Sequence, residues 1–222
     1  MRSADGTFGK AGMRIMVPMK NAAARLLPFA LLLAVLPADA APPPAAPDPN
    51  TVVVRSAGGS KSFTVTETGN AIEIVLPSGE RLVGEASGDK RKYRRASGGS
   101  QLLEVKPGDS GFKLKTPDGK LLWKVKIADD KIKVSDNEEN ANPYSLKTKY
   151  ADKVKVVDAA EKELAEVRFA AEKTKVKAAD GTELWETSSP RRRSASFGVL
   201  AIEKIPEEHR AVLMAEILAR RR

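Results

Sequence analysis

The chain has 222 residues, with 38 lysines and arginines against 29 aspartates and glutamates, one histidine and no cysteine. The lack of cysteine excludes disulfide scaffolds, cysteine-ligated zinc, thiol nucleophiles and cysteine-anchored lipids. The single histidine, His209, excludes a multi-histidine metal centre. With 41% hydrophobic and 30% charged residues, the chain can bury a core, and its length suits one domain plus a processed segment.

The first forty residues have the order of a secretory signal. Basic residues from Lys10 to Arg25 precede an apolar run over 26–36, and Ala38-Asp39-Ala40 follows. This order predicts a signal peptide over 1–40 that is cleaved after Ala40, and hence a periplasmic or extracellular protein. The run is shorter than the roughly 20 residues needed to span a bilayer. We therefore expect no transmembrane span in the mature chain, with an uncleaved N-terminal anchor as the alternative.

A proline- and alanine-rich stretch over 41–50 follows the predicted cleavage site. Proline fixes φ and supplies no N–H, so this stretch is predicted to be a semi-rigid linker. The folded domain is expected over 51–222. Loss of residues 1–40 removes five basic and two acidic residues, which leaves a formal charge of +6. The mature protein is therefore basic as well.

The middle of the chain repeats itself about every twenty residues. The sequence KLKTPDGKLLW at 113–123 returns as KVKAADGTELW at 175–185, and looser copies begin at 74, 93, 132 and 154. Such a period marks a repeated supersecondary unit. Apolar and charged residues alternate on both sides of pairs such as Asp118-Gly119 and Asp180-Gly181, which predicts β-hairpins with tight turns.

Six such hairpins give a mainly β fold of about twelve antiparallel strands, with 63–66 as a possible extra edge strand. We interpret the alternating lysines as solvated strand faces, since lysine also discourages strand addition at an edge. The apolar run 197–202 is predicted to be a strand that is buried on both faces. Pro206 then opens a predicted helix over 206–219, which is apolar almost all round and hence buried.

This arrangement resembles the tubby-like superfamily, which includes the phospholipid scramblases and the LURP-one-related proteins. The resemblance lies in the Asp-Gly hairpins, as at 112–127, and in SASFGVLAIEKIPEEHRAVLMAEIL at 194–218. It implies a closed β-barrel around a central C-terminal helix. The chain lacks the cysteine cluster and the acidic metal-binding loop of those families, and its signal peptide is foreign to them. An open β-meander with the helix packed on one face is the alternative architecture.

No residue set argues for catalysis, a cofactor or a metal. His209 is interpreted as an exposed helical residue, and Trp123 and Trp185 as core residues at equivalent repeat positions. The loop 136–140 contains three acids, but it lacks the spacing and central glycine of a calcium loop, so it is interpreted as a solvated hairpin loop. The enzyme question stays open, and a non-enzymatic protein is favoured.

Basic clusters are the main functional lead, because clustered cations bind anionic lipid headgroups and phosphates. We predict an exported envelope module that associates with an anionic lipid or envelope polymer, without sequence-specific nucleic-acid binding. A lipid-handling protein, as the resemblance implies, and a hydrolase with an unrecognised site are the alternatives; the oligomeric state stays open. The predicted anion-binding residues are Lys90, Arg91, Lys92, Arg94, Arg95, Arg191, Arg192 and Arg193.

Overall fold

A computed structural model describes residues 48–220. The predicted signal peptide, its cleavage site and most of the predicted linker lie outside these residues. Fourteen strands, one 3-10 helix and one α-helix follow in chain order. The strands are β1 Thr51–Ser56, β2 Ser62–Thr68, β3 Ala71–Val75, β4 Arg81–Ser87, β5 Lys90–Arg95, β6 Leu103–Gly108, β7 Gly111–Lys115, β8 Leu121–Ile127, β9 Lys131–Ser135, β10 Tyr144–Tyr150, β11 Lys153–Val157, β12 Glu163–Phe169, β13 Thr174–Ala178 and β14 Glu183–Thr187.

The strands form one closed antiparallel barrel in which each strand pairs with its neighbours along the chain. Closure comes from β1 and β14, through the pairs Arg55↔Glu186 and Ser56↔Trp185. The predicted closed barrel is confirmed and the open meander is wrong. The strand number differs from about twelve because β1 and β2 form a full hairpin ahead of the repeats.

Period-two alternation explains why these segments are strands. In β7, Phe112 and Leu114 point into the barrel and are buried, whereas the alternating Lys113 and Lys115 point outward. The turn after β7 contains Gly119 at a φ of 89°, and the equivalent Gly181 has the same φ. Only glycine adopts this backbone readily, so the Asp-Gly pairs terminate the strands where the sequence predicts turns.

The segment Ala195–Ala201 is a 3-10 helix and not the strand that its apolar run predicts. A closed barrel has no free edge, so an additional strand inside it has no partner for its backbone groups. The 3-10 turn satisfies these groups locally. Gly198 allows close approach to the wall, since a Cβ there would lie 2.8 Å from a methyl group of Val156 and 3.2 Å from one of Leu146.

The helix α1, Glu207–Arg220, follows the 3-10 helix and lies one residue later than predicted. Its residues 211–218 are all buried, although they point in every direction around the helix axis. Since α1 packs on the 3-10 helix as well as on β2 and β3, the two helices together fill the barrel. No helix in the part of the chain described here combines the length and apolarity needed to cross a membrane.

Candidate anion-binding face

The predicted cluster on β5 alternates between the inside and the outside of the barrel. Arg91 points inward and its Nη1 donates to Glu216 Oε1 of α1 at 2.9 Å, and the Tyr93 hydroxyl donates to the same oxygen at 2.8 Å. Arg220 also pairs with Glu216. Burial raises the pKa of Tyr93 well above its ordinary value, and the nearby Glu216 carboxylate raises it further. This network anchors α1 to the wall.

The other cations of β5 also face acidic partners. Lys90 pairs with Glu104 at 2.9 Å, Arg94 with Glu85 at 2.7 Å, and Arg95 with both Glu80 and Glu208. Lys92 points outward, and its register neighbours on the two adjacent strands are Glu85 and Glu104. The charge of this cluster is therefore largely matched within the fold.

The second predicted cluster closes one end of the barrel. Arg191 pairs with Glu67 and donates to the Leu218 carbonyl of α1 at 2.7 Å. Arg192 and Arg193 donate to backbone carbonyls, and the Arg193 guanidinium lies over the ring of Phe169. The structure thus brings Arg91 and Arg191, one from each cluster, to the last two turns of α1. Anion binding by the eight predicted residues stays a prediction.

A different set of cations lies on the outer wall of β6–β9. We call these six residues the lysine face, and they share an outward position on neighbouring strands. The members are Lys106, Lys113, Lys115, Lys124, Lys126 and Lys133.

Lysines of the lysine face stand directly opposite one another. Lys106 is opposite Lys113, Lys113 is opposite Lys124, and Lys126 is opposite Lys133. Like charges in directly opposed cross-strand positions destabilise a sheet. Opposed cations also occur on other strands, as in Lys131↔Lys147 and Lys153↔Arg168, so opposition alone does not distinguish this wall.

One position of the lysine face, that of Lys124, holds an acid elsewhere in the barrel, whereas the pairs Lys106↔Lys113 and Lys126↔Lys133 recur as the cation pairs Lys147↔Lys155 and Arg168↔Lys175. The register pair Lys113↔Lys124 corresponds to Lys155↔Glu166 in one repeat and to Lys175↔Glu186 in another. The strand after the turn begins with an acid in both of those hairpins, where β8 begins with Leu121. Comparison of the repeats therefore distinguishes Leu121 and Lys124 from sequence, and only the structure groups the other lysines with them.

One acid reaches the centre of the lysine face from the loop between β9 and β10. Glu138 Oε2 lies 2.6 Å from Lys113 Nζ and 3.7 Å from Lys124 Nζ. The hydrogen bond from Lys113 lowers the pKa of Glu138. Asn137 shapes the loop, because its side chain accepts from the Ala141 N–H at 2.7 Å and donates to the Ala141 carbonyl.

Two adjoining clefts follow the lysine face. One has a volume of about 460 Å³ and runs along β6–β8, where Asp109 of the β6–β7 turn joins five lysines in its lining. The other, of about 200 Å³, lies between β8 and β9, and both clefts include Ser110 and Lys126. Within residues 48–220, no carboxylate lies within 4.0 Å of the side-chain nitrogen of Lys106, Lys115, Lys126, Lys131 or Lys133.

His209 is partly buried rather than exposed, which corrects its interpretation from sequence. Its Nδ1 accepts a hydrogen bond from Trp123 Nε1 at 3.1 Å, and burial lowers its pKa. Trp185, at the equivalent repeat position, instead packs on Phe63 with ring centroids 5.0 Å apart. Both tryptophans thus belong to the interior, as expected.

Among residues 48–220, no group of three or more histidines, aspartates or glutamates is arranged to hold a metal ion. No protein family model matches this chain, and neither a curated protein nor a solved structure shows significant similarity to it.

Proposed function

We propose that this protein is an exported, non-enzymatic envelope module that associates with an anionic ligand through its lysine face. One observation carries the proposal: within residues 48–220, four members of the lysine face have no carboxylate within 4.0 Å, whereas Lys153, Lys155 and Lys175 on β11 and β13 each pair with an acid. A cationic wall of this kind raises the local concentration of anions and attracts them at long range. The positive charge of the lysine face destabilises the isolated protein. A partner that neutralises this charge would explain why the face is so rich in lysine.

The interior gives the lipid-handling alternative less support. The 3-10 helix and α1 occupy the inside of the barrel, and their central residues are buried against its wall. Association at the outer face therefore agrees better with this packing than enclosure of an acyl chain does.

A pair of equally charged variants tests the proposal. The first replaces with glutamine the four face lysines that have no carboxylate within 4.0 Å in residues 48–220, which are Lys106, Lys115, Lys126 and Lys133. The control removes the same charge from β11 and β13 through glutamine at Lys153, Lys155, Lys175 and Lys177. We expect the first variant to lose at least tenfold in affinity for an anionic probe at low salt, and the control to change little. Equal losses would mean that net charge alone drives binding and would refute the assignment to the lysine face.

The probes are vesicles of phosphatidylglycerol in phosphatidylcholine and the acidic polymer polygalacturonate. Binding to either should weaken as salt is added, because exposed charges are screened over about 8 Å at physiological ionic strength. A third variant with glutamine at the eight originally predicted residues tests the β5 and 191–193 clusters separately. If the wild-type protein binds neither probe at low salt, the proposed function is wrong.

A further inference from the structure

The shape of the lysine face favours a chain-like ligand. Lys113 and Lys124 are recessed, with side chains 34% and 21% exposed, and they line the larger cleft. The two clefts meet at Ser110 and Lys126 and together cross four strands. Since neighbouring strands lie about 4.8 Å apart, this track is about 14 Å long. A single flexible chain can enter the track, whereas a flat bilayer reaches mainly the protruding charges.

The spacing of the charges also suits a regular polymer. Lys106, Lys113 and Lys124 occupy one cross-strand row, which places one cation on each of three successive strands. A polymer that carries one anionic group per unit, with a unit length near the strand separation, can pair its groups with this row in turn. A chain of uronic acid sugars has one carboxylate per ring and a unit of about this size.

A carboxylate of the protein itself, that of Glu138, already contacts this row. Its carboxylate sits between Lys113 and Lys124, at 2.6 and 3.7 Å from their nitrogens, although it belongs to a different hairpin. The loop that carries Glu138 is exposed on the outside of the barrel, so its carboxylate can leave when another anion arrives. Glu138 therefore stands where a ligand carboxylate would bind.

Two other classes of anionic partner fit less well. Single-stranded nucleic acid binds largely by stacking its bases on aromatic side chains, and membrane surfaces are commonly held through apolar residues inserted beside the cations. Within residues 48–220, Tyr150 is the one large hydrophobic side chain that is strongly exposed, at 70%. It lies at the end of β10, outside the four strands of the lysine face.

We infer that the lysine face binds a linear acidic polysaccharide of the uronic acid type along the track across β6–β9, and that its carboxylates displace Glu138 from Lys113 and Lys124. The inference rests on the proposed function and names its ligand. Glu138 then acts as an internal competitor, which keeps the recessed lysines paired until the polymer arrives.

The variant Glu138→Gln tests this competition. It removes one like charge at contact distance from the ligand, which in an exposed site corresponds to about a fivefold gain in affinity at low salt. Polygalacturonate is the probe and isothermal titration calorimetry the measurement. The matched control is Glu80→Gln, since Glu80 lies in the loop between β3 and β4 and pairs with Arg95, and neither residue lines the two clefts. We expect the control to bind like the wild type. No gain for Glu138→Gln relative to the control would overturn the inference.

Ligand length and ligand type supply a second readout. Affinity for galacturonate oligomers should rise steeply from the monomer to the tetramer, because longer chains fill more of the track. Affinity that is independent of oligomer length would overturn the inference. Binding to anionic vesicles but not to polygalacturonate, or tighter binding to polyphosphate at equal charge, would leave the proposed function standing and refute the polysaccharide. If no anionic probe binds, both fail together.

Discussion

Two walls of the barrel contain the same kind of hairpin but carry different outward residues. Hairpin β7–β8 and hairpin β13–β14 share an Asp-Gly turn and the pairing of an inward apolar residue with tryptophan. On the wall of β11–β14, acids on neighbouring strands pair with the lysines: Lys155 pairs with Glu163 and Lys175 with Glu183. The hydrogen bonds that both lysines donate to these acids raise the pKa of the lysines. The difference teaches that inward residues specify the hairpin, while outward residues are free to serve another purpose.

Both walls pack against the same interior. The largest effect that we predict is the loss of stability when a charge is placed in that interior. Leu213→Asp should unfold the barrel, because Leu213 is fully buried on α1. Truncating a buried leucine costs about 2–5 kcal/mol, and a buried unpaired charge costs more, against a whole-domain stability of about 5–15 kcal/mol. Thermal melts followed by circular dichroism provide the measurement. Val212→Asp, Met214→Asp and Ile217→Asp should do the same, since these side chains are buried on other sides of the helix.

A single wild-type-like melting temperature among these four variants would contradict the central position of α1. Glu207→Gln is a suitable control, because Glu207 lies in the first turn of α1 and is not fully buried. It should leave the melt nearly unchanged.

Exchanging the outward residues of the two hairpins sharpens the comparison. The double variant Glu183→Leu with Glu186→Lys gives β14 the residues that β8 has at Leu121 and Lys124. We expect it to gain affinity for anionic probes severalfold at low salt. Its melting temperature should fall slightly, because two exposed ion pairs are lost and like charges then face each other across the strands.

The reverse variant, Leu121→Glu with Lys124→Glu, should lose anion binding and melt at the same or a higher temperature. Binding isotherms and melts of both variants form one experiment. If both variants bind the anionic probes as tightly as the wild type does, the outward residues of these hairpins do not determine binding.

The smallest predicted effect concerns the two tryptophans. Trp123 donates to His209, whereas Trp185 packs on Phe63, so only the β7–β8 side is coupled to a titratable group. The folded state lowers the pKa of His209 through burial. As the pH falls, His209 therefore becomes protonated at a higher pH in the unfolded chain than in the folded protein. The stability that neutral His209 confers is present above its unfolded pKa of about 6.5 and is lost on acidification through the folded value.

Melting temperatures measured between pH 7.5 and 5 check this sign. His209→Asn keeps an acceptor for Trp123 but does not titrate, so its melting temperature should fall less over this interval. Identical pH profiles for the two proteins would show that His209 does not contribute to the acid sensitivity of the fold.

The sequence by itself determined the hairpins, since period-two alternation and Asp-Gly turns are local signals with one structural solution. It also determined the buried C-terminal helix, because five consecutive apolar residues after Pro206 leave no polar side. Tertiary structure decided the conformation of Ala195–Ala201. An apolar run fits a buried strand or a buried helical turn equally well, and only barrel closure removes the edge that a strand would need.

The candidate site was decided almost entirely by tertiary structure. The run from Lys90 to Arg95 is the densest positive segment in the sequence, yet Glu216, Glu104 and Glu85, all distant from it or on other strands, match its charges. The lysines of β6–β9 are spread over thirty residues of sequence and become one face only when four strands lie side by side. Charge density along a chain does not predict surface charge, because electrostatic compensation acts between neighbours in space, and register places those neighbours.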